Sequence, residues 1–193
     1  MYLFWKKGES VKKIVEIAHD MILSMLQEES VAVDFTLGQG NDTLFLAQQK
    51  NIQHVYGFDI QKSAIEQSKM KLCEYEDKVT LILDGHEHMD MYVDGFDVGI
   101  FNFGFLPHGN EAITTLLETS KIAVYKALRR LRKKGIIVMV LYPGHAQGKE
   151  ESLYFDEWCK KLDGHYFNVL TIRFDNRNSA PYIKVIERIR NEI

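Results

Sequence analysis

The chain has 193 residues, of which 46% are hydrophobic and 26% are charged. These proportions are those of an ordinary globular protein, and the length suits one domain, so a single domain is expected over residues 1–193. No apolar run approaches the roughly 20 residues that span a bilayer, and the first residues lack a signal-peptide pattern. A cytoplasmic protein with no membrane partner is therefore expected. The net charge of −3 does not indicate a basic nucleic-acid-binding surface.

Positive charge is nevertheless concentrated in two segments. One segment ends a predicted helix and the other runs through the last quarter of the chain; they contain Arg129, Arg130, Arg132, Lys133 and Lys134, and Arg173, Arg177, Lys184, Arg188 and Arg190. Such runs are usually solvated faces, and basic residues at a helix end also suit the helix dipole. The two clusters permit an anionic substrate but do not require one.

The predicted elements alternate between strands and helices along most of the chain. Helical spacing of apolar residues predicts an amphipathic helix over 10–28, with Ser10 as its cap. After it, strands are predicted at 31–36, 54–60, 79–84, 96–102 and 135–142, with helices at 42–50, 62–75, 112–133 and 150–162. Two consecutive strands, 166–174 and 181–189, end the pattern.

This order predicts an α/β fold with a parallel sheet and helices on both faces. The two final strands are expected to form an antiparallel hairpin at the edge of the sheet. The expectation is thus a Rossmann-like, seven-stranded sheet with a carboxyl-terminal antiparallel hairpin and an amino-terminal helix. A nicotinamide-binding sheet would instead end on parallel strands.

A turn that contains two glycines follows the first predicted strand. In the segment 33–43, Gly38 and Gly40 lack a Cβ and let the backbone turn tightly and approach a ligand, with Gln39 between them. Ligands of open α/β sheets bind beyond the carboxyl ends of the strands, where this loop is expected. The pattern alone is weak, and Thr43 stands where the dinucleotide fingerprint has its third glycine.

Acidic and amide side chains around this loop favour a cationic ligand. Asn41 and Asp42 stand where a pyrophosphate would meet the helix amino terminus, and a carboxylate there suits a cation better. S-adenosylmethionine carries an ammonium and a sulfonium and has no phosphate. Asp34 and Asp42 are expected to serve its methionine portion, although Asp42 as a helix cap is the alternative.

Two further strand ends are expected to bind a nucleoside. Asp59 ends the second strand at the spacing from the glycines at which an acid receives ribose hydroxyls, in either cofactor. Gln61 adds a hydrogen bond or is an exposed helix-start residue. In the loop after the third strand, the carboxylate of Asp84 is expected to accept from the adenine amine, and the backbones of Gly85 and His86 to donate. No metal is expected, because alternating histidines without a third ligand make a weak metal site.

Residues 102–107 follow the fourth strand and resemble the Asn-Pro-Pro-aromatic loop with which many methyltransferases methylate amino nitrogens. Asn102 and the carbonyl of Phe103 are expected to accept the N–H bonds of an acceptor amine. Phe105 is expected to stack on a flat acceptor. The alternative for Phe103 and Phe105 is a place in the core, as is usual for apolar aromatic residues.

Together these segments resemble the MnmM (YtqB-like) family of class I methyltransferases, and the resemblance continues through residues 142–150 and 176–181. It implies S-adenosylmethionine as methyl donor and the 5-aminomethyl group of 2-thiouridine at the tRNA wobble position as acceptor. The partner is then the anticodon region of a tRNA. The cofactor-contacting positions of the family fall on Asn41, Asp42, Asp59, Gln61, Asp84 and His86. The chain departs from the family at Phe35 and Gln39, in the cofactor loop, and at His108, in the expected acceptor pocket.

Three polar residues are expected at the substrate side. Tyr142, His145 and Arg177 lie on loops at expected strand ends, where they are expected to stack on a base or meet a phosphate. Other functions stay open: a ribosomal RNA methyltransferase, an NAD-dependent oxidoreductase, or a non-catalytic nucleotide-binding module. The missing third glycine and the hairpin disfavour the oxidoreductase, and Asn102 disfavours the binding module. The oligomeric state is open, with a homodimer as a candidate.

Overall fold

The computed structural model describes residues 11–104 and 115–191. Its strands are β1 (Ser30–Asp34), β2 (Ile52–Asp59), β3 (Val79–Leu83), β4 (Phe96–Asn102), β5 (Leu131–Leu141), β6 (Phe167–Ile172) and β7 (Tyr182–Arg188). Its helices are α1 (Ile14–Met25), α2 (Asn41–Ala47), α3 (Lys62–Lys71), α4 (Leu117–Arg130) and α5 (Ala146–Cys159), and two short 3-10 helices cover Cys73–Tyr75 and His86–Met91. Within these described ranges, no helix has the length and apolar content needed to cross a membrane.

All seven strands form one sheet in the order β3-β2-β1-β4-β5-β7-β6. The first five strands pair in parallel, and β7 lies antiparallel between β5 and β6. The predicted seven-stranded sheet with a terminal antiparallel hairpin is therefore confirmed. A doubly wound dinucleotide-binding sheet has the parallel order 3-2-1-4-5-6, so the inserted β7 separates this fold from that class.

Alternate side chains of the central strands build two apolar layers, one on each face of the sheet. On one face, Val98, Ile100 and their neighbours pack under α1 and α2. On the other, Phe101, Met139 and their neighbours pack under α4 and α5. Because both faces are covered, β5 is a continuous apolar run over 136–141, as expected for a buried parallel strand.

Several predicted helix boundaries are wrong: the first helix covers Ile14–Met25 instead of 10–28, and the helix predicted over 62–75 ends at Lys71. Two further differences have an identifiable cause. The helix predicted over 112–133 ends at Arg130, because Leu131 already pairs with Phe96 and begins β5. The helix predicted from residue 150 begins at Ala146, because the Nδ1 atom of His145 accepts from the N–H of Gly148 (3.1 Å) and caps the first turn. The proposed Ser10 cap and residues 112–114 lie outside the described residues.

Candidate active site

A cleft of about 640 Å³ opens beyond the carboxyl ends of β1, β2 and β4. This is the point where the strand order reverses around β1, and it is the usual ligand position in such sheets. The volume is in the range of small-molecule and cofactor sites. Most of the residues predicted for the site line this cleft: Gly38, Gln39, Asn41, Asp42, Asp59, Gln61, Asp84, Gly85, His86, Asn102, Phe103, Tyr142 and His145.

The glycine loop has the tight geometry that its sequence predicts. Gly38 and Gly40 have φ angles of 51° and 72°, in the left-handed region that favours glycine. The N–H of Gly40 donates to the carbonyl of Leu37 (2.7 Å), and a Cβ on Gly40 would stand 2.7 Å from the Oγ of Ser68. Gly40 therefore lets α2 begin at the wall of the cleft but does not itself line it.

Asp34 lies beneath this loop, and the direct cofactor contact expected of it is corrected here. Its side chain is fully buried and does not line the cleft. The carboxylate accepts from the hydroxyl of Thr43 (2.7 Å) and from the N–H of Thr36 (3.0 Å). Burial raises its pKa, and repulsion from Asp42 raises it further. Asp34 thus holds both ends of the loop together from below.

Asp59 presents its carboxylate at the cleft wall in a fixed orientation. One oxygen accepts from the N–H of Gly38 (2.9 Å), and the other accepts from the N–H of Gln61 (2.8 Å). Each carboxylate oxygen has a second lone pair and can accept another donor. Partial burial raises the pKa of Asp59. The arrangement suits two adjacent hydroxyl groups, as on a ribose.

The loop after β3 offers a buried acceptor beside the cleft. The Nδ1 atom of His86 lies 3.0 Å from the carbonyl oxygen of Phe35, and since a carbonyl only accepts, Nδ1 carries the proton. Burial lowers the pKa of His86, so the ring is neutral and its Nε2 atom is an acceptor. Nε2 is buried without a hydrogen-bond partner among the described residues. His86 therefore helps to hold Phe35 and the loop after β3 together at the cleft wall.

The carboxylate of Asp84, in contrast, is already engaged. It accepts from the hydroxyl of Tyr92 and pairs with the Nδ1 atom of His88, each at 2.8 Å. The hydrogen bond from His88 lowers the pKa of Asp84. The two histidines of this loop therefore have different partners, and no group of three metal-ligating side chains occurs within residues 11–104 and 115–191.

Asn102 stands at the end of β4 and is held from two sides. Its backbone N–H donates to the hydroxyl of Thr36 (2.7 Å), and its Nδ2 donates to a carboxylate oxygen of Asp42 (3.2 Å). Tyr142 lines the same part of the cleft, and burial raises its pKa to about 12. The other oxygen of Asp42 lies 2.7 Å from the Nε2 atom of His19, a residue of α1 that the sequence analysis missed.

Phe103 contributes to the cleft through its backbone. Its ring is stacked with those of Phe101 and Phe155, at centroid distances of 5.2 and 5.4 Å, and the residue is 1% exposed. The ring therefore takes the core position that was the alternative for it. Gly104 follows with a φ of 139°, a conformation that few other residues adopt. Phe105 lies outside the described residues.

A buried network ties the base of the acceptor loop to α5, and no sequence pattern indicated it. Gly104 and Thr115 are joined by two hydrogen bonds of 3.0 Å: the N–H of Thr115 donates to the carbonyl of Gly104, and the N–H of Gly104 donates to the Thr115 hydroxyl. The carboxylate of Glu151 accepts from the hydroxyls of Thr115 (3.0 Å) and Ser120 (2.6 Å). Glu151 is fully buried, and burial raises its pKa. The network thus ties Gly104 and Thr115 to Glu151 of α5.

The predicted substrate-side residues are only partly brought together. Tyr142 and His145 line the cleft, whereas Arg177 lies on the exposed connection between β6 and β7, with its guanidinium 5.2 Å from the Phe174 ring. Ser179 of the same connection does line the cleft.

The cationic cluster at the end of α4 is remote from this edge. Leu131 pairs with Phe96 at the start of β4, and Asn102 is at its end. At about 3.3 Å per residue, Arg129 and Arg130 therefore lie roughly 20 Å from the acceptor side of the sheet.

The fold and the cleft together define an S-adenosylmethionine-dependent methyltransferase of class I. The chain belongs to the family described as "Putative rRNA methylase", whose model matches residues 55–187. It is 36% identical over 198 residues to the chloroplastic tRNA (mnm(5)s(2)U34)-methyltransferase of Arabidopsis thaliana. That match covers 94% of this chain and 70% of the relative. The resemblance found in the sequence is thereby confirmed.

Solved structures of similar chains agree with this family. A protein of Clostridium thermocellum described as a "putative rRNA-methylase" has a TM-score of 0.88 and 39% identity, over 94% of this chain and all of that one. The protein SMU.1697c of Streptococcus mutans, described as "a putative methyltransferase" and solved in complex with SAH, has a TM-score of 0.84 and 32% identity, over 93% of this chain and all of that one.

Proposed function

We propose that this protein transfers a methyl group from S-adenosylmethionine to the primary amine of 5-aminomethyl-2-thiouridine at the wobble position of tRNA. The observation that carries the proposal is Asn102, held at the cleft by Thr36 and Asp42 beside the glycine loop. An amide at this place suits an amino acceptor. The name of the relative from Arabidopsis supports the tRNA nucleoside as the particular acceptor.

The cofactor residues are assigned from their contacts. Asp59 binds the ribose hydroxyls, and the backbones of Gly85 and His86 donate to the base. Gln39, Asn41 and Asp42 line the part of the cleft that takes the methionine portion. When bound, the cofactor supplies a methyl group on a positively charged sulfur, which keeps the electron pair as the methyl leaves. Asp34 acts on this site only through the loop that it supports.

The chain positions the acceptor, and no side chain within residues 11–104 and 115–191 is an evident base for it. The Oδ1 atom of Asn102 and the carbonyl of Phe103 accept the N–H bonds of the neutral amine and direct its lone pair toward the methyl carbon. Such positioning supplies most of the rate in a transfer of this kind. The nitrogen forms the new bond as the carbon–sulfur bond breaks, and its extra proton goes to solvent.

The substrate side is proposed from position and residue type. Tyr142 and His145 contact the nucleoside, Phe105 stacks on it, and Arg177 meets a backbone phosphate of the anticodon region. Ribosomal RNA, which the family description names, is the second candidate substrate. A single domain over 1–193, a cytoplasmic location and a homodimer stay predictions.

The Asn102→Ala variant tests the proposal. Because the Asn102 interaction matters most in the transition state, turnover should fall by on the order of a hundredfold while the cofactor affinity changes little. Asn168→Ala is a matched control, since Asn168 also donates its amide to a carboxylate, that of Glu187, but lies exposed on β6. Equal turnover of the two variants would remove Asn102 from the reaction.

A further inference from the structure

We propose that His19 and Asp42 act as a positioning pair that fixes the orientation of the Asn102 side-chain amide. The pair turns the Oδ1 atom of Asn102, and not its Nδ2 atom, toward the acceptor. This inference rests on the proposed amine methylation. It assigns to α1 a part in the reaction, although His19 does not itself line the cleft.

His19 is held in one orientation by its own surroundings. Its ring is stacked on that of Phe45, with centroids 3.8 Å apart and planes inclined by 3°. Phe45 belongs to α2 and lies one helical turn after Asp42, so the same helix carries the stacking partner and the carboxylate. The stacking plane directs the Nε2 atom of His19 to the Oδ1 atom of Asp42, at 2.7 Å.

The Asp42 carboxylate joins His19 to Asn102. The residue is 7% exposed; one of its oxygens faces His19 and the other accepts from the Nδ2 atom of Asn102 at 3.2 Å. An ionised carboxylate has no hydrogen to donate. Rotating the Asn102 amide by 180° would place its Oδ1 atom against a carboxylate oxygen and leave a buried acceptor without a donor, which is unfavourable. The amide therefore keeps Nδ2 on Asp42 and Oδ1 on the opposite side.

This orientation determines which side-chain atom of Asn102 faces the acceptor amine. A neutral amine must be held by its N–H bonds, so that its lone pair stays free for the methyl carbon. The Oδ1 atom of Asn102 accepts such an N–H bond, whereas an Nδ2 atom in its place would donate to the lone pair and block the reaction. Without the hydrogen bond from His19, only the hydrogen bond to Asn102 holds the Asp42 carboxylate in place, and the productive orientation of the amide is less well fixed.

Two variants of His19 separate the hydrogen bond from the stacking. His19→Phe keeps a ring that stacks on Phe45 but removes the donor to Asp42. His19→Gln removes the ring but keeps an N–H donor of similar reach. We expect His19→Phe to lower turnover by on the order of ten- to a hundredfold, with a smaller change in cofactor affinity, and His19→Gln to restore most of the turnover.

The measurements are single-turnover methyl transfer to tRNA that carries the aminomethyl group, calorimetric S-adenosylmethionine affinity, and melting temperature. The side-chain NH₂ signals of Asn102, assigned by their loss in Asn102→Ala, report the amide directly by NMR. They should shift in His19→Phe and stay near their original position in His19→Gln.

Any of three results would overturn the proposal. The first is unchanged turnover in His19→Phe, and the second is lower turnover in His19→Gln than in His19→Phe, which would show that the ring matters and the hydrogen bond does not. The third is an equal loss of turnover and of cofactor affinity. The last would mean that the His19–Asp42 contact supports the cofactor site as a whole and not Asn102 in particular. A wild-type protein that fails to methylate aminomethyl-tRNA would contradict the proposed function, and the NMR comparison would still test the His19–Asp42–Asn102 contacts.

Discussion

Replacing Asp59 by alanine should weaken S-adenosylmethionine binding. Each carboxylate oxygen of Asp59 already accepts one backbone N–H, from Gly38 or Gln61, and has one remaining lone pair for a ribose hydroxyl. Hydrogen bonds to a charged group contribute about 1.5–3 kcal/mol, and the raised pKa of Asp59 shows that burial already disfavours its charge. We therefore expect a total loss of about 2 kcal/mol, which corresponds to a roughly 30-fold higher Kd.

Isothermal titration calorimetry with S-adenosylmethionine measures this change, and the melting temperature without cofactor checks the loop. Asp59→Asn is the matched control, because it keeps one oxygen of the same shape and should lose about half as much binding free energy. A Kd of Asp59→Ala equal to that of the wild type would show that Asp59 does not bind the ribose.

Three further changes test other parts of the structure. Arg177→Ala should weaken tRNA binding and reduce the slope of log affinity against log salt concentration by about one. A double alanine variant of Arg129 and Arg130, which lie at the opposite end of the strands, should change neither the affinity nor the slope. Glu151→Gln should lower the free energy of unfolding in urea by about 1–3 kcal/mol, because one of the two buried oxygens that accept a hydroxyl is replaced by an NH₂ group. Asp34 binds a proton more tightly in the folded than in the unfolded chain. Its contribution to stability is therefore greatest below about pH 4 and is lost as the pH rises to about 7, a dependence that Asp34→Asn should remove.

Each of these changes has a result that contradicts it. A uniform loss of tRNA affinity in the Arg129 and Arg130 variant would place RNA at the opposite end of the strands. Glu150→Gln alters an exposed neighbour of Glu151, so equal stabilities of the two glutamine variants would contradict the buried network. An unfolding free energy with the same pH dependence in wild type and Asp34→Asn would show that the pKa of Asp34 is not raised by folding.

The sheet could be predicted because its determinants are local. Short β-branched runs separated by helical patterns indicate parallel strands, and the polar connection at 175–180 between two consecutive strands indicates a hairpin. The glycine loop and the strand-end residues Asp59 and Asn102 could be placed for the same reason, since the carboxyl ends of parallel strands share one edge.

The contacts within the site could not be predicted, because they join distant parts of the chain. His19 lies 23 positions before Asp42 on a helix whose pattern shows only an apolar face. Glu151 follows Lys149 and Glu150, a polar run that is typical of an exposed surface, and its burial depends on the packing of α5 against α4. Similarly, the sequence around Arg129 does not indicate at which end of the strands this residue lies.

Methyl transfer to defined tRNAs tests the central claim most directly. Purified protein with labelled S-adenosylmethionine is incubated with one tRNA that carries 5-aminomethyl-2-thiouridine and with the same tRNA bearing unmodified uridine at the wobble position, and the nucleosides are analysed by mass spectrometry. The account predicts a methylated aminomethyl group in the first tRNA and no product in the second, which offers no amine. It also predicts a rate that rises with pH until the substrate amine is neutral. Methylation of ribosomal RNA alone, or of a ring carbon in the unmodified tRNA, would contradict the assignment of an amine acceptor.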